Sequence, residues 1–439
     1  MSNLAYNPKP EEIKQFEYHS NHRKIAAALS IIPGVGQLYN RQILKGVLFL
    51  IFSAAFLRVF WDMFDNGLWG IVTLGTQLPR DHSIFLLIQG ILSVIVLLFG
   101  IAFYLFNITD AYKNGEKRDL GLALSSVRDQ YRNLIDNGFP YLIMSPGFLL
   151  LIFVVIFPII FVISLAFTNY DLYHSPPARL VDWVGFQNFA DIFKIDIWRQ
   201  TFFGVLAWTI VWTVGATTLQ VAIGIFLAIL VNQKDLKGKA FIRTVFILPW
   251  AVPSFVSILI FAGMFNESFG AVNMQILHAF GIPPQDWMTN PTFTRIALLM
   301  IQSWLGFPFI FAMTTGVLQS IPDELYEAAT VDGASIWQKF RRITLPLVLF
   351  STAPIIITQY AFNFNNFNVI YLFNGGGPAI EGQSAGGTDI LISWIYRLTM
   401  KRAQYSKAAA ITMMLSLVII IIAIWQFKRT KSFQEEDMI

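Results

Sequence analysis

The 439-residue chain contains no cysteine and only five histidines. The first absence excludes disulfides, thiolate metal sites and cysteine nucleophiles. The histidines, at 19, 22, 82, 174 and 278, form no His-x-x-x-His pair, which removes that helix-borne metal motif. Charge is scarce as well. Asp, Glu, Lys and Arg make up 13% of the chain, against roughly 25% in an ordinary soluble protein. Two or three soluble domains of this total length could not be dressed for water with so few charges. A phosphate loop of the form Gly-x-x-x-x-Gly-Lys-[Ser/Thr] is also missing: Lys237-Gly238-Lys239-Ala240 lacks both the upstream glycine and the hydroxyl. Any ATP hydrolysis coupled to this chain must therefore come from another subunit.

What is abundant is apolar. Hydrophobic residues reach 55%, phenylalanine alone contributes 41, and mean hydropathy is +0.57. Most of that surface must face lipid, which makes the chain a polytopic membrane protein. Apolar runs long enough to cross a ~30 Å hydrocarbon core fall at roughly 45–64, 84–108, 141–167, 200–232, 244–265, 295–320, 347–373 and 405–427, eight in all. The net charge of +4 does not point to nucleic acid, because the basic residues lie in short clusters between apolar runs, where they set topology. These clusters occupy every second gap, represented by Arg23 and Lys24, Lys117 and Arg118, Lys237 and Lys239, Arg341 and Arg342, and Lys428 and Arg429. The pattern predicts both termini in the cytoplasm, although Arg397, Lys401, Arg402 and Lys407 in the last external gap run against it. Residues Met1 to Lys24 are polar and precede no small-residue cleavage site, so insertion is expected to use a retained segment.

The first two spans read as an appendage. A charged stretch from Asp110 to Phe139 follows them, in which Leu124, Val127, Tyr131 and Leu134 share one helical face, the pattern of an amphipathic interfacial helix. Before the first span, Ile32-Pro33-Gly34-Val35-Gly36-Gln37 carries a Gly-x-Gly with no strand ahead of it, which reads as a turn between short helices rather than a nucleotide fingerprint. The external segment 168–198 is long enough for a small cap and too short for a domain.

The gap after the sixth run is the most informative. Ser320 with Asp323, and Pro322 at the first turn, predict the start of a short helix; Gly333 permits a left-handed residue at its end; Ser335 with Gln338 predicts a capping box on a second helix. So many stop and start signals in one connection predict a rigid element, shaped to push or be pushed. Within it Glu327-Ala328-Ala329, Gly333, and Ile343-x-Leu345-Pro346 stand at fixed spacing.

That spacing resembles the coupling motif of ABC importer permeases, and the resemblance covers about 140–430. It narrows to the maltose/maltodextrin (MalF) type through Leu248-Pro249-Trp250-Ala251-Val252-Pro253-Ser254-Phe255, Trp304-Leu305-Gly306-Phe307-Pro308-Phe309, Phe362-Asn363-Phe364-Asn365-Asn366-Phe367 and Gly375-Gly376-Gly377-Pro378. The resemblance implies an all-α, type I permease fold with residues 1–139 as a tail, two extra spans and linker, 140–430 as the permease domain, and 431–439 as a cytoplasmic tail. It also implies a multi-pass protein of a prokaryotic cytoplasmic membrane that is not itself an enzyme. The partners implied are a second, MalG-like permease forming a heterodimer, two copies of an ABC ATPase that bind ATP and Mg, and an extracytoplasmic sugar-binding protein. No cofactor is implied for this chain. Glu327, Ala328, Ala329, Gly333, Ile343, Leu345 and Pro346 would form the ATPase-coupling element. The large external domain of the best-known relatives has no counterpart in the short 168–198 loop.

Polar side chains inside a membrane span are costly and mark pathways. Gln359, Phe362, Asn363 and Asn366 recur at i, i+3, i+4 and i+7, one helical face with three amides and one ring. Amides offer donors and acceptors to hydroxyls, and an aromatic ring stacks on the apolar side of a pyranose. A sugar-binding surface has this outline; amide bonding that glues helices together is the alternative. The resemblance adds Trp250, Ser254, Leu305, Gly306 and Phe309 around one oligosaccharide, with Pro249, Pro253, Pro308 and Pro354 interrupting the helices concerned. Maltose-type relatives would carry Tyr at 250 and 309 and Ser at 359, so another oligosaccharide is an open alternative. An ion-coupled secondary transporter should show buried carboxylates or an inverted repeat, a membrane-embedded enzyme should show Asp or His clusters, and neither is evident.

Overall fold

The computed structural model describes residues 21–124, 131, 132, 135, 136, 138–233 and 236–429. Among these the backbone is helical apart from turns, loops and two isolated bridges, Thr168 to Trp183 and Ala379 to Gly386. The expected interfacial helix depends on Val127 and Leu134, which lie outside the described residues. The chain divides into two compact units, Met1–Gly185 and Phe186–Ile439.

In the first unit α1 (His22–Leu29) and α2 (Val35–Tyr39) precede the long helices α3 (Ile43–Thr73) and α4 (Ser83–Asp119). Helix α5 (Phe139–Leu151) continues through a π turn at Ile152–Ile156 into α6 (Phe157–Ala166). The Gly-x-Gly segment is a turn, as expected: Gly34 takes φ +89° at the cap of α2. A Cβ on Gly36 would overlap Ser30 Oγ and the Ala26 carbonyl, so the two short helices can close only without one. They are pinned to α4 by buried polar groups. Asn107 Oδ1 accepts from the Gly34 N–H at 3.0 Å, and its Nδ2 donates to the Ser30 carbonyl at 2.9 Å. Gln37 Nε2 donates to the Asn107 carbonyl, and Lys45 pairs with Asp110 at 2.6 Å. Most of the apolar surface of α3 and α5 stays exposed, as lipid-facing helices require, since lipid solvates side chains but not backbone.

The second unit contains α7 (Gln187–Lys194), α8 (Asp196–Val231), α9 (Lys239–Ala251), α10 (Ser254–Met264), α11 (Pro291–Ser320), α12 (Asp323–Val331), α13 (Ile336–Lys339), α14 (Leu345–Phe364), α15 (Phe367–Asn374), α16 (Leu391–Met400) and α17 (Tyr405–Arg429). Helix α11 starts where Asn290 Oδ1 accepts from the Thr292 N–H at 2.9 Å with Pro291 in the first turn, the usual chemistry of a helix start. Helices α8 and α11 pack along their length around two buried apolar clusters. One holds Trp208, Trp212, Ala216, Leu298 and Ile301; the other holds Ile225, Ala228, Phe307, Ile310 and Phe311. Between them, at the middle of both helices, lies a layer of buried polar residues that includes Thr217, Gln220 and Gln302.

Helices α9 and α10 meet at an 89° bend. Val252 at the bend is extended, with ψ 131°, because a residue before proline is driven from the helical region. The expectation that Pro249, Pro308 and Pro354 interrupt their helices is not met: all three lie inside continuous helices. A single proline removes one hydrogen bond and is tolerated inside a span, whereas Pro253 stands at the bend itself, as the cap of α10. The glycine-rich segment before α16 is held by Asp389, whose carboxylate accepts from the Gly386 N–H and Ser393 Oγ and pairs with Arg397 at 2.9 Å. Burial pushes that carboxyl above its usual range, against the pull of those partners.

Among the described residues six helical stretches are long and apolar enough to cross a membrane, seven if α9 and α10 form one bent span, and α17 adds a shorter apolar run, Tyr405–Ile421. The third of these, 139–166, groups with the first two in the N-terminal unit.

Candidate functional site

A cavity of about 410 Å³ opens inside the second unit at the bend between α9 and α10. Trp250 and Ser254 reach it from either side of the bend, Leu305, Gly306 and Phe309 from α11, Gln359 and Phe362 from α14, and Asn366 from the break before α15. Eight of the nine sequence-predicted pocket residues therefore meet at one place. Trp250 and Phe309 meet edge to face with ring centroids 5.7 Å apart, and Trp250 and Phe362 each leave more than half of their surface exposed. No Asp, Glu, Lys, Arg or His lines the space. Its chemistry is that of neutral amides, one hydroxyl and aromatic faces.

Asn363 is the exception. It was expected on the same face, yet it is fully buried and absent from the cavity wall. Its Nδ2 donates to Thr217 Oγ1 at 2.8 Å, and its carbonyl accepts from Trp212 Nε1 at 2.9 Å. Asn363 lies within α14, which ends at Phe364, and Asn366 caps α15. Gln359 and Asn363 stay on one face of the unbroken part of α14 and both meet α8, at Gln220 and Thr217, but only Gln359 also reaches the cavity; the break after Phe364 carries Asn366 back to the wall.

Three lining amides join through one residue behind the wall. Asn366 Nδ2 donates to Gln302 Oε1 at 3.0 Å, Gln302 Nε2 to Gln220 Oε1 at 3.4 Å, and Gln220 Nε2 to Gln359 Oε1 at 3.3 Å. Gln302 and Asn368, both on the wall, were missed by sequence reasoning. Each is a polar residue within or beside an apolar run, so the rule that singled out Gln359 would have found them if applied to every span.

The loop after α11 has the doubly capped form expected, with one correction at its start. Ser320 closes α11, its hydroxyl donating to the Val317 carbonyl, and α12 begins at Asp323 with Pro322 as its cap and no side-chain cap bond. Proline supplies the turn without help, since its fixed φ already suits a helix entry. At the other end Gly333 has φ +74°, and its N–H and that of Ala334 close on the Thr330 and Ala329 carbonyls. The Ser335–Gln338 capping box is complete. Lys339 Nζ donates to Thr330 Oγ1 at 2.6 Å, and Tyr326 OH meets Thr344 Oγ1 at 2.9 Å, tying α12 to the segment that follows. Glu327, Ala328 and Gly333 are exposed, Ala329, Ile343 and Leu345 partly so, and Pro346 is exposed at the start of α14. Beside them Val331, Ile336 and Trp337 also expose most of their apolar surface.

Residues 220–431 match the family model described as the binding-protein-dependent transport system inner membrane component. The chain is 63% identical over 415 residues to the galactooligosaccharides transport system permease protein GanP of Bacillus subtilis (strain 168), covering 94% of this chain and 99% of that protein. The chain belongs to this permease family. It is also 48% identical over 427 residues to the maltodextrin transport system permease protein MdxF of the same organism, across 95% of this chain and 98% of the relative. A crystal structure of a bacterial ABC transporter that imports the acidic polysaccharide alginate shares the fold, with a TM-score of 0.55 at 22% identity over 67% of this chain and 96% of that one. The permease is thus a multi-pass cell-membrane subunit of an ABC importer of the maltodextrin-permease kind, and ATP hydrolysis is the task of a separate subunit. Among the described residues no cluster of His, Cys, Asp or Glu could hold a metal ion.

Proposed function

We propose that the permease carries a neutral oligosaccharide through the cavity at the α9–α10 bend. The observation behind this reading is a cavity lined by amides, a hydroxyl and aromatic faces with no charged group. Such a lining suits a polyhydroxylated ring: hydroxyls exchange hydrogen bonds with amides while C–H faces lie on Trp250 and Phe362. An acidic polysaccharide would need cations that the wall lacks. A galactooligosaccharide is the first substrate to try, because the relative at 63% identity is named for transporting that class. Maltodextrin is the second, on the strength of the relative at 48%. Trp250, Phe309 and Gln359, where maltose-type permeases are expected to carry hydroxyls, favour the first.

The sites assigned to sugar are Trp250, Ser254, Leu305, Gly306, Phe309, Gln359, Phe362 and Asn366, with Gln302 added and Asn363 supporting them from behind. The chain forms half of the pathway, with 140–430 as the permease domain, 1–139 as an appended segment and 431–439 as a tail. It spans the membrane eight times with both termini cytoplasmic, α17 being the last span. A second permease subunit supplies the other half, an extracytoplasmic binding protein delivers the sugar, and two ATPase copies hold ATP and Mg. One ATPase docks on the loop of Glu327, Ala328, Ala329 and Gly333, where an exposed apolar surface beside small side chains suits close approach.

The test is ATPase activity of the reconstituted importer with binding protein loaded with galactotriose or maltotriose. The expected result is stimulation by galactotriose that falls several-fold in Phe362→Ala and disappears in Ala329→Trp, whose indole would overfill the docking surface. Full stimulation in Phe362→Ala, or normal coupling in Ala329→Trp, would overturn the corresponding assignment.

A further inference from the structure

Gln220 lies at the middle of α8, is fully buried and does not reach the cavity. It is nevertheless the residue through which Gln302 and Gln359 are joined. All three bonds of the amide chain run in one sense, from Asn366 through Gln302 and Gln220 to Gln359. A primary amide carries its donor at one end and its acceptor at the other, so committing one end leaves the opposite character at the free end. With Asn366 Nδ2 and Gln359 Oε1 committed inward, Asn366 is left to offer Oδ1 as an acceptor and Gln359 its Nε2 as a donor. The wall is built around this link: a Cβ on Gly306 would overlap Gln220 Oε1. Glycine at 306 therefore makes room for Gln220 as well as for whatever occupies the cavity.

We propose that Gln220 is a positioning residue that fixes the donor and acceptor pattern of Asn366 and Gln359, and so sets which hydroxyl geometry the cavity accepts. The inference rests on the reading of the cavity as an oligosaccharide site. Galactose and glucose differ only in whether the C4 hydroxyl is axial or equatorial. Each epimer's C4 hydroxyl both donates and accepts but stands in a different place; a wall whose donor and acceptor positions are fixed satisfies it in one placement and leaves its own groups unpaired in the other, whereas amides free to turn end over end would accept either. Gln302 alone cannot do this. It fixes Asn366 but does not touch Gln359, and only Gln220 ties the two ends together.

The test compares transport rates of galactotriose and maltotriose by the assembled importer in proteoliposomes, per complex, for the parent, Gln220→Met, Gln220→Asn and Asn366→Ala. Gln220→Met keeps the volume and removes the amide; Gln220→Asn keeps an amide that is one methylene too short to bridge both neighbours, and covers the case in which the methionine variant fails to assemble. The expected result is a change of about three-fold or more in the ratio of the two rates in both Gln220 variants, in the same direction as in Asn366→Ala. A purely structural role would lower both rates together and leave the ratio at the parent value. If Asn366→Ala shifts the ratio while both Gln220 variants keep it, the positioning role is overturned and the cavity reading stands. If Asn366→Ala leaves both rates unchanged, the cavity reading itself is overturned and the role of Gln220 falls with it.

Discussion

Asn107 and Gln37 in the N-terminal unit are as deeply buried as Gln220 and Gln302 in the C-terminal unit, yet the two sets spend their hydrogen bonds differently. In the first, the partners are largely backbone: the Gly34 N–H, the Ser30 carbonyl and the Asn107 carbonyl. In the second, side chain bonds to side chain, and the series ends at a cavity on both sides. A buried polar group that satisfies backbone fixes a turn; one that satisfies another side chain can pass its orientation on to a surface. Burial alone does not separate a structural cluster from a binding one. Where the series of bonds ends does.

The sharpest way to break this comparison is at Gly34. A valine there would take a left-handed φ, costing about 1–2 kcal/mol, and its Cβ would overlap the Gly46 carbonyl, an overpacking worth about 1–3 kcal/mol more. The expected outcome is a large drop in the melting temperature or yield of the solubilised protein, with an unchanged galactotriose to maltotriose ratio in whatever complex assembles. A shifted ratio would mean that the N-terminal cluster takes part in selecting sugar.

A finer comparison lies inside the C-terminal unit, between Asn363 and Asn366. Asn363→Ala removes an interhelical bond to Thr217 of the kind that contributes about 0.6–1.7 kcal/mol in membranes, so melting without sugar should fall. Asn366→Ala also removes a buried interhelical bond, to Gln302, so its melting without sugar should fall by a comparable amount, but this variant alone should in addition weaken sugar occupancy about three- to twelve-fold, the equivalent of about 0.5–1.5 kcal/mol for one net hydrogen bond. Occupancy measurements beside melting curves without sugar separate the two; weakened occupancy in Asn363→Ala with none in Asn366→Ala would overturn the placement of Asn366 on the cavity wall.

The smallest expected effect is one that should not distinguish the units. Asp81 accepts from the N–H groups of Thr76 and Gln77, which hold its carboxyl below the ordinary aspartate value. Glu267 is desolvated, which raises its pKa, but the N–H of Met288 and the N–H and hydroxyl of Thr289 outweigh this and lower it overall. Both depressed carboxyls contribute stability that is present above their unfolded pKa values and lost as pH falls through the folded ones. Acidification below about pH 4 should therefore reduce amide protection at Thr76 and Gln77 and at Met288 and Thr289 alike. Loss in one loop alone would show that the carboxylate closes only that loop.

Much of the site was legible before any geometry because membrane solvation is unforgiving: an amide in an apolar run must be explained, and Gln359 and Asn366 were found that way. The turn at Gly34, the left-handed residue at Gly333 and the Ser335–Gln338 box were legible because each depends on neighbours a few residues away. Where reading failed, it failed on distance or on competition between local signals. Periodicity correctly put Asn363 on the face of Gln359, but both face α8, and which of them also reaches the cavity depends on packing that no local pattern records. Ser320 looked like a cap, but Pro322 made one unnecessary. Pro249, Pro308 and Pro354 looked like interruptions, yet each lies inside a continuous helix, because the loss of one backbone bond does not by itself end a membrane helix.

The sequence by itself determined that this chain lives in a membrane, that it works without cysteine or a phosphate loop of its own, and that the connection after its α11 helix is a rigid, doubly terminated element. These follow from composition and from contacts within one or two helical turns, which chain connectivity enforces. Only the tertiary structure decided that Gln220, on a different helix from every cavity residue, joins Gln302 to Gln359, that Gly306 makes room for it, and that Asn363 faces inward while Asn366 faces the cavity. Those facts depend on how α8, α11 and α14 pack, and residues separated by 64 to 146 positions have no local signal that records which of their faces will meet.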